Sequence, residues 1–351
     1  MTVANDAEIG KANMLRSLFV ALALLVPVIS PAVADPIADF YSGKTIRMLV
    51  GYGPGGGYDI YGRLVAEFLP KQIPGHPAIV TENMPGAGSF AAAKYIAGVA
   101  PKDGSVLASL AQTFPLDSAV GSLGKVSAVN FHYIGRITTN IDVGASLASV
   151  GIKSIADVRN KVYTVGASGR GSNTDIYPEA LNAYGGTKFK IVLGYKGTNE
   201  ILLAMDRGEV DIVGAYGLPG MLATHPGWID KGEATLIYQA ALKRNALLPN
   251  VPTLPELAVS DEGRAILRAI ASTAEIGRSI VTGPGVPADR LAALRQAFAA
   301  MLKDPDFVAA CEKRHLMVDP GSGEDMDAIV KDTFALPQPV LAKIGAMLSA
   351  K

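Results

Sequence analysis

Along the chain, short runs of branched apolar side chains alternate with segments whose apolar residues return every third or fourth position. "KTIRMLV" (44–50) has the length and composition of a buried strand and is closed by Gly51. Ile60, Leu64, Val65 and Phe68 then recur at helical spacing, which predicts a helix over 58–69 that ends before Pro74-Gly75. "PAIVTEN" (77–83) is a second strand, "GAGSFAAAKYIAGVA" (86–100) a second glycine-opened helix and "SVLASLA" (105–111) a third strand. This order asks for a parallel sheet covered by helices on both faces. A second series begins near Phe131. "FHYIGRIT", "VYTVGAS", "FKIVLGY", "VDIVGAY" and "ATLIYQA" read as strands, with helices starting from Ser154 and near 175–184 and 198–207. The C-terminal part is helical, with Leu291, Leu294, Phe298, Met301 and Leu302 on one face and Pro287 at a first-turn position. Two sheets of similar make-up, with the chain crossing near Arg136 and returning near Ile237, predict a two-lobed α/β protein.

The N-terminus changes where that protein is expected to work. Lys11 and Arg16 precede an apolar run over 18–26, Pro27 breaks it, and Ala32-Val33-Ala34 supplies small residues for a signal peptidase. Residues 1–34 read as a signal peptide cleaved after Ala34; the alternative is an uncleaved anchor, although the run is shorter than the roughly 20 residues a spanning helix needs. The lobes are then expected at 35–137 plus 241–351 and at 138–240, in an extracytoplasmic compartment.

Composition removes several functions. Of 351 residues 49% are hydrophobic and 18% charged, which excludes a disordered chain. Lys+Arg and Asp+Glu both number 32, so no overall basic field attracts nucleic acid. Cys311 is the sole cysteine and the four histidines lack helical or cysteine partners, so neither a disulfide nor a metal site is expected. No "GK[ST]" follows a glycine-rich turn, and "GASGR" around Ser168 lacks the closing glycine of a nucleophile elbow. No cofactor is expected.

The informative strings sit where strands meet helices. "GYGPGGGYDIYGR" (51–63) lets a ligand approach backbone N–H groups without a Cβ in the way, and the helix behind it adds unpaired donors and a partial positive charge. Asp59 can cap that helix or accept from a ligand. "NMPGAGS" (83–89) and "SGRGSNTD" (168–175) repeat the device, the latter in the second half. Ligands of open α/β sheets lie beyond such strand ends. Arg170, the one charged residue in a loop of this kind, is either a partner for a ligand carboxylate or a solvated surface residue. Tyr52, Tyr58, Tyr61, Tyr195 and Tyr216 gather near the same places, either walling a ligand or simply packing. Gly51, Gly53 and Gly56 also spell the G-x-G-x-x-G of a dinucleotide site, with Glu82 where a ribose-binding acid would stand, so an NAD(P)-dependent oxidoreductase is an alternative.

Together "IRMLVGYGPGGGYDIYGRLVAEFL", "VTENMPGAGSFAAAKYIA", "TVGASGRGSNTD", "YKGTNEILLAMDRGEVDIV" and "LPNVPTLPEL" resemble the periplasmic solute-binding proteins of tripartite tricarboxylate transporters, the Bug family, from about Tyr41 to about Ile329. The resemblance implies a type II periplasmic-binding fold, each lobe a mostly parallel sheet flanked by helices, that closes on a small carboxylate. Dicarboxylates, tricarboxylates, acidic amino acids and aromatic acids are such ligands. It implies delivery to a small and a large integral membrane subunit, by a monomer that catalyses nothing; a sensor or co-receptor with the same cleft is a further alternative. Carried onto this sequence, it implies ligand contacts at Gly55, Gly56, Gly57, Asp59, Gly88, Ser89, Ser168, Gly171, Ser172 and Asn173. Several positions depart from the family pattern. Ser89 replaces a common glycine, Lys102 is inserted, Gly214–Tyr216 stands where an Asp or Asn is usual, and Pro178 interrupts a helix that must start near Thr174 or Asp175 or kink. "DEGRAILRAIASTAEIGRSI" (261–280) is also unlike the usual stretch.

Overall fold

The computed structural model describes residues 35–349; the expected signal peptide, 1–34, lies outside the described residues. The strand-and-helix alternation folds into two sheets. The first contains β1 (Thr45–Val50), β2 (Ala78–Asn83), β3 (Val106–Ser109), β4 (His132–Arg136), β10 (Ser279–Thr282) and β11 (Gly321–Ser322), in the order β11-β4-β10-β3-β1-β2. The second contains β5 (Asp142–Leu147), β6 (Tyr163–Ala167), β7 (Phe189–Leu193), β8 (Ile212–Gly217) and β9 (Ala234–Ala240), in the order β7-β6-β8-β5-β9. In each sheet four strands run one way.

The periodic patterns do not announce β5 and β10, and both run antiparallel to their neighbours. Their direction follows from where the chain changes sheets. β4 ends at Arg136, and the chain crosses at once to begin β5, whose first residue, Asp142, pairs with Gly217 at the carboxyl end of β8. On the return, β10 begins at Ser279, opposite Arg136 at the end of β4. A strand that enters a sheet at the carboxyl ends of its neighbours must run against them. Each crossing therefore leaves the first residues of a reversed strand beside the glycine-rich corners.

Apolar faces fill the layers between sheet and helices. Ile46 and Met48 of β1 are buried with Tyr61, Leu64 and Val65 of the helix Gly57–Phe68 and with Leu294 and Phe298 of the helix Ala288–Met301. The opposite face carries Leu49, Ala108 and Val281 against Ala92, Ile96 and Val330. In the second sheet Val165, Ile212 and Ile237 pack on Ile176, Tyr177 and Leu181 of the helix Asn173–Tyr184. Helices Asp261–Ala271 and Gln338–Ser349 add Ile266, Leu267 and Ile270, and Leu341, Ile344 and Leu348, to that same core. The helices after 241 thus pack on both cores, Ala288–Met301 on that of the first sheet and Asp261–Ala271 and Gln338–Ser349 on that of the second.

The helix Asn173–Tyr184 starts from Ser172 as its N-cap and keeps Pro178 inside. Proline supplies no N–H for the carbonyl of Thr174, four residues back. Gly214 of β8 lies so close to that carbonyl that a Cβ there would sit 2.2 Å from the oxygen. Among the described residues no helix is long and apolar enough to cross a membrane, and no cluster of metal-ligating side chains is found.

Candidate functional site

Three strand-to-helix corners meet at the site, and each is built by one local rule. A helix start leaves its first N–H groups without intrahelical partners. In the helix Gly57–Phe68, the first-turn acid Asp59 reaches back to accept from the N–H of Gly55 at 2.9 Å. In the helix Asn173–Tyr184, Asp175 accepts from the N–H of Gly171 at 2.9 Å, and in the helix Thr198–Asp206, Glu200 accepts from the N–H of Lys196 at 2.7 Å. The acid always stands four residues after the N–H it holds. Gly55 and Gly171 have φ of +81° and +75°, where a side chain would strain the turn. With the loops pinned, the N–H groups heading each helix are aimed past the strand ends.

The corners touch across the two halves. The N–H of Gly53 donates to the carbonyl of Lys196 at 2.9 Å, and the Thr113 hydroxyl donates to the carbonyl of Gly171 at 2.9 Å. Gly88 fits against Ser172 only because it has no Cβ, which would lie 2.8 Å from the Ser172 Cβ.

Between them lies a pocket lined from both sheets. Gly56, Gly57 and Tyr58 line it from the first corner, Ser168, Asn173 and Thr174 from the second, and Gly197 and Thr198 from the third. Three helix N-termini therefore point into one pocket, which favours negative charge. Arg278 adds a full positive charge. It is 4% exposed, and neither its Nε nor its Nη1 has a hydrogen-bond partner among the described residues. Its guanidinium lies 3.9 Å from the centre of the Tyr58 ring, which itself stacks on Tyr52 at 4.6 Å. Gly217 makes room for it: a Cβ there would stand 2.3 Å from the Arg278 Nη2.

Asp142 lines the opposite side of the charge balance. Its Oδ2 accepts from Asn173 Nδ2 at 2.6 Å, Gln112 Nε2 at 3.1 Å and the Tyr177 hydroxyl at 3.4 Å, and its Oδ1 accepts from Asn140 Nδ2 at 2.8 Å. Burial pushes its carboxyl above the ordinary range, while Arg278 and the Asn173, Asn140 and Tyr177 donors pull it back. With the amide nitrogen of Asn173 committed to Asp142 and to the Tyr58 hydroxyl at 3.3 Å, its Oδ1 is left buried without a partner. The Tyr52 hydroxyl is likewise unpartnered.

Of the residues singled out from sequence, Tyr52, Gly56, Gly57, Tyr58, Ser168, Asn173 and Tyr216 line the pocket. The others stand behind it. Besides Gly55, Asp59 holds Arg63 Nε at 2.8 Å and Asn83 Nδ2 at 2.7 Å. Although burial opposes ionisation, the bonds from Arg63, Gly55 and Asn83 keep its carboxyl below the ordinary range. Gly55 and Gly171 spend their N–H groups on these braces. The Ser89 hydroxyl accepts from the N–H of Ala111 at 2.9 Å, and that of Ser172 donates to the carbonyl of Gly169 at 2.6 Å. Gly88 serves the contact with Ser172, and Tyr195 packs against the apolar core of the second sheet. Arg170 turns outward, its side chain 43% exposed and paired with Glu179 at 2.7 Å. Glu82 is held by Arg47 through bonds of 2.8 and 2.6 Å, which leaves a ribose no free acid there.

Sequence reasoning passed over Asp142, Thr198 and Arg278. Thr198 had a signal, since "KGTNE" carries the same acid four residues after the loop N–H. Arg278 lies within the 261–280 stretch already noted as foreign to the family pattern, and is the only cationic side chain lining the pocket among the described residues. Asp142 had none.

The model of the tripartite tricarboxylate transporter family receptor matches residues 62–346. The chain is 26% identical over 329 residues to the UPF0065 protein in the gbd 5′ region of Cupriavidus necator, covering 89% of this chain and 91% of that protein. It is similar in fold to MatC from Rhodopseudomonas palustris with bound malate (TM-score 0.66, 20% identity, 85% of this chain and 99% of that one). A second R. palustris protein, with adipate, gives a TM-score of 0.66 at 21% identity over 86% of this chain and 97% of that one.

Proposed function

Because the chain belongs to the tripartite tricarboxylate transporter receptor family, we propose that its interlobe pocket captures a small organic carboxylate for delivery to the membrane subunits of such a transporter. One observation carries the reading: three helix N-termini and the unpartnered, buried guanidinium of Arg278 converge on one volume. A carboxylate accepts two parallel hydrogen bonds from a guanidinium and takes the remaining donors from the helix starts. The malate and adipate bound in similarly folded proteins are small organic acids of the same kind.

In this reading Gly56, Gly57, Asn173, Thr174 and Thr198 surround the anion with backbone donors, Arg278 neutralises it, and Tyr52, Tyr58 and Tyr216 wall its carbon skeleton. Gly55, Asp59, Gly88, Ser89, Gly171 and Ser172 hold the corners in shape. The receptor makes and breaks no bond, acts as a monomer in the periplasm, and reaches it by cleavage of 1–34. The test is a thermal-shift screen of residues 35–351 against mono-, di- and tricarboxylates, with NAD and NADP alongside. A ligand at 100 times its Kd stabilises by about 2.7 kcal/mol. Stabilisation by a dinucleotide, and by no carboxylate, would overturn the reading.

A further inference from the structure

The pocket has acceptors as well as donors, and a simple carboxylate satisfies only the donors. Asn173 Oδ1 is buried and unpartnered, and its orientation is fixed because its Nδ2 is committed to Asp142 at 2.6 Å. Asp142 Oδ1 accepts one bond, from Asn140, although a carboxylate oxygen has room for two. Both residues line the pocket, on the side of the second corner. Resting on the proposal that this is the solute site, we propose that the solute is an amino acid: its carboxylate meets Arg278 and the helix starts, and its ammonium group donates to Asp142 and Asn173 Oδ1.

Charge supports an ammonium over a hydroxyl. Asp142 and Arg278 make no direct ion pair with each other, and both line the pocket; Arg278 acts on the Asp142 carboxyl only through space. A zwitterion offers the matching charge to each of them. Buried charges are tolerated when paired and hydrogen-bonded. A hydroxy acid has one O–H, which satisfies one of the two acceptors, and it brings Asp142 no positive charge. An unsubstituted acid would do neither, and the orphaned acceptors would penalise it. Asp142 is thus the residue that reads the group next to the carboxylate.

Calorimetric titration of residues 35–351 with two matched five-carbon series tests this. One series is norvaline, 2-hydroxyvalerate and valerate; the other is glutamate, 2-hydroxyglutarate and glutarate. In whichever series binds, affinity is expected to fall at least tenfold from amino to hydroxy acid and again to the unsubstituted acid. Asp142→Asn should weaken amino-acid binding at least tenfold more than hydroxy-acid binding, which a merely structural loss, equal for both, would not do. Equal binding of amino and unsubstituted acids, or equal weakening of all of them by Asp142→Asn, would overturn the proposal and leave the carboxylate reading standing. Absence of binding by every acid of both series, and by the wider carboxylate screen, would overturn both.

Discussion

Replacing Arg278 by methionine should move binding and stability in opposite directions. The side chain is 4% exposed, and its Nε and Nη1 have no protein partner. A bound carboxylate would take two charge-assisted hydrogen bonds from it, each worth about 1.5–3 kcal/mol. The contact with the Tyr58 ring is already made without ligand, so it is counted in the unbound state and not in the binding difference. Allowing for water that refills the vacated space, a loss of about 3 kcal/mol is expected. That weakens Kd roughly 100-fold, at about 1.4 kcal/mol per factor of ten. Without ligand the sign reverses. Methionine follows the apolar stem and removes a buried cation that no protein group hydrogen-bonds, against a lost cation–π contact of about 0.5–2 kcal/mol. Arg278→Met should therefore be at least as stable as the parent in urea denaturation. Calorimetry and denaturation on the same preparations give both numbers, with Arg170→Ala as the control that leaves affinity unchanged. Unaltered affinity in Arg278→Met, or a variant that merely loses stability, would refute the assignment of Arg278 to the anion.

Asp175 carries a pH dependence. Burial pushes its carboxyl up to about 6, against the opposing influence of the Gly171 N–H and Arg170. A carboxyl raised above its unfolded value contributes its full stability below about pH 3.8 and loses it as pH rises through 6. Two units correspond to about 3 kcal/mol at most, so Asp175→Asn should be more stable than the parent by about 1–3 kcal/mol at pH 7.5 and nearly equal to it at pH 4. A stability difference that stays constant across that range would show that ionisation is not the cause. Gly217→Ala would bring a Cβ to 2.3 Å from both Arg278 Nη2 and Asn140 Oδ1. It should cost about 1–3 kcal/mol by overpacking and weaken ligand binding at least tenfold. Gly56→Ala, whose Cβ meets nothing within 4 Å, should keep its stability within about 0.5 kcal/mol in the same denaturation assay. Equal stability for the two alanine variants would contradict the packing around Arg278.

Most elements, and the three corners, were legible because the physics that forms them is local. The strand "ATLIYQA" appears where its branched side chains placed it, Ala234–Ala240, and the helix after the first glycine loop begins within a residue of its expected start. A glycine at positive φ followed four residues later by an acid is a turn, a helix start and a brace, all within a few residues of sequence. Such rules say that a corner will hold an anion, and the family strings say which kind of protein uses it.

What no local rule carries is the pair Arg278 and Asp142. Arg278 follows a glycine in a segment with no glycine-rich corner of its own, and Asp142 is one acid at the head of a strand that periodicity did not reveal. They reach the pocket because the chain changes sheets twice, entering each sheet from the carboxyl ends of strands already laid down. Asp142 begins one reversed strand and Arg278 immediately precedes the other. Arg170, by contrast, sits in the right loop and faces away, because Glu179 one helical stretch later offers it a partner in solvent. Backbone donors gather where local sequence rules put them. Which charges share the pocket with them depends on sheet order and strand direction, and so on pairing between residues far apart along the chain.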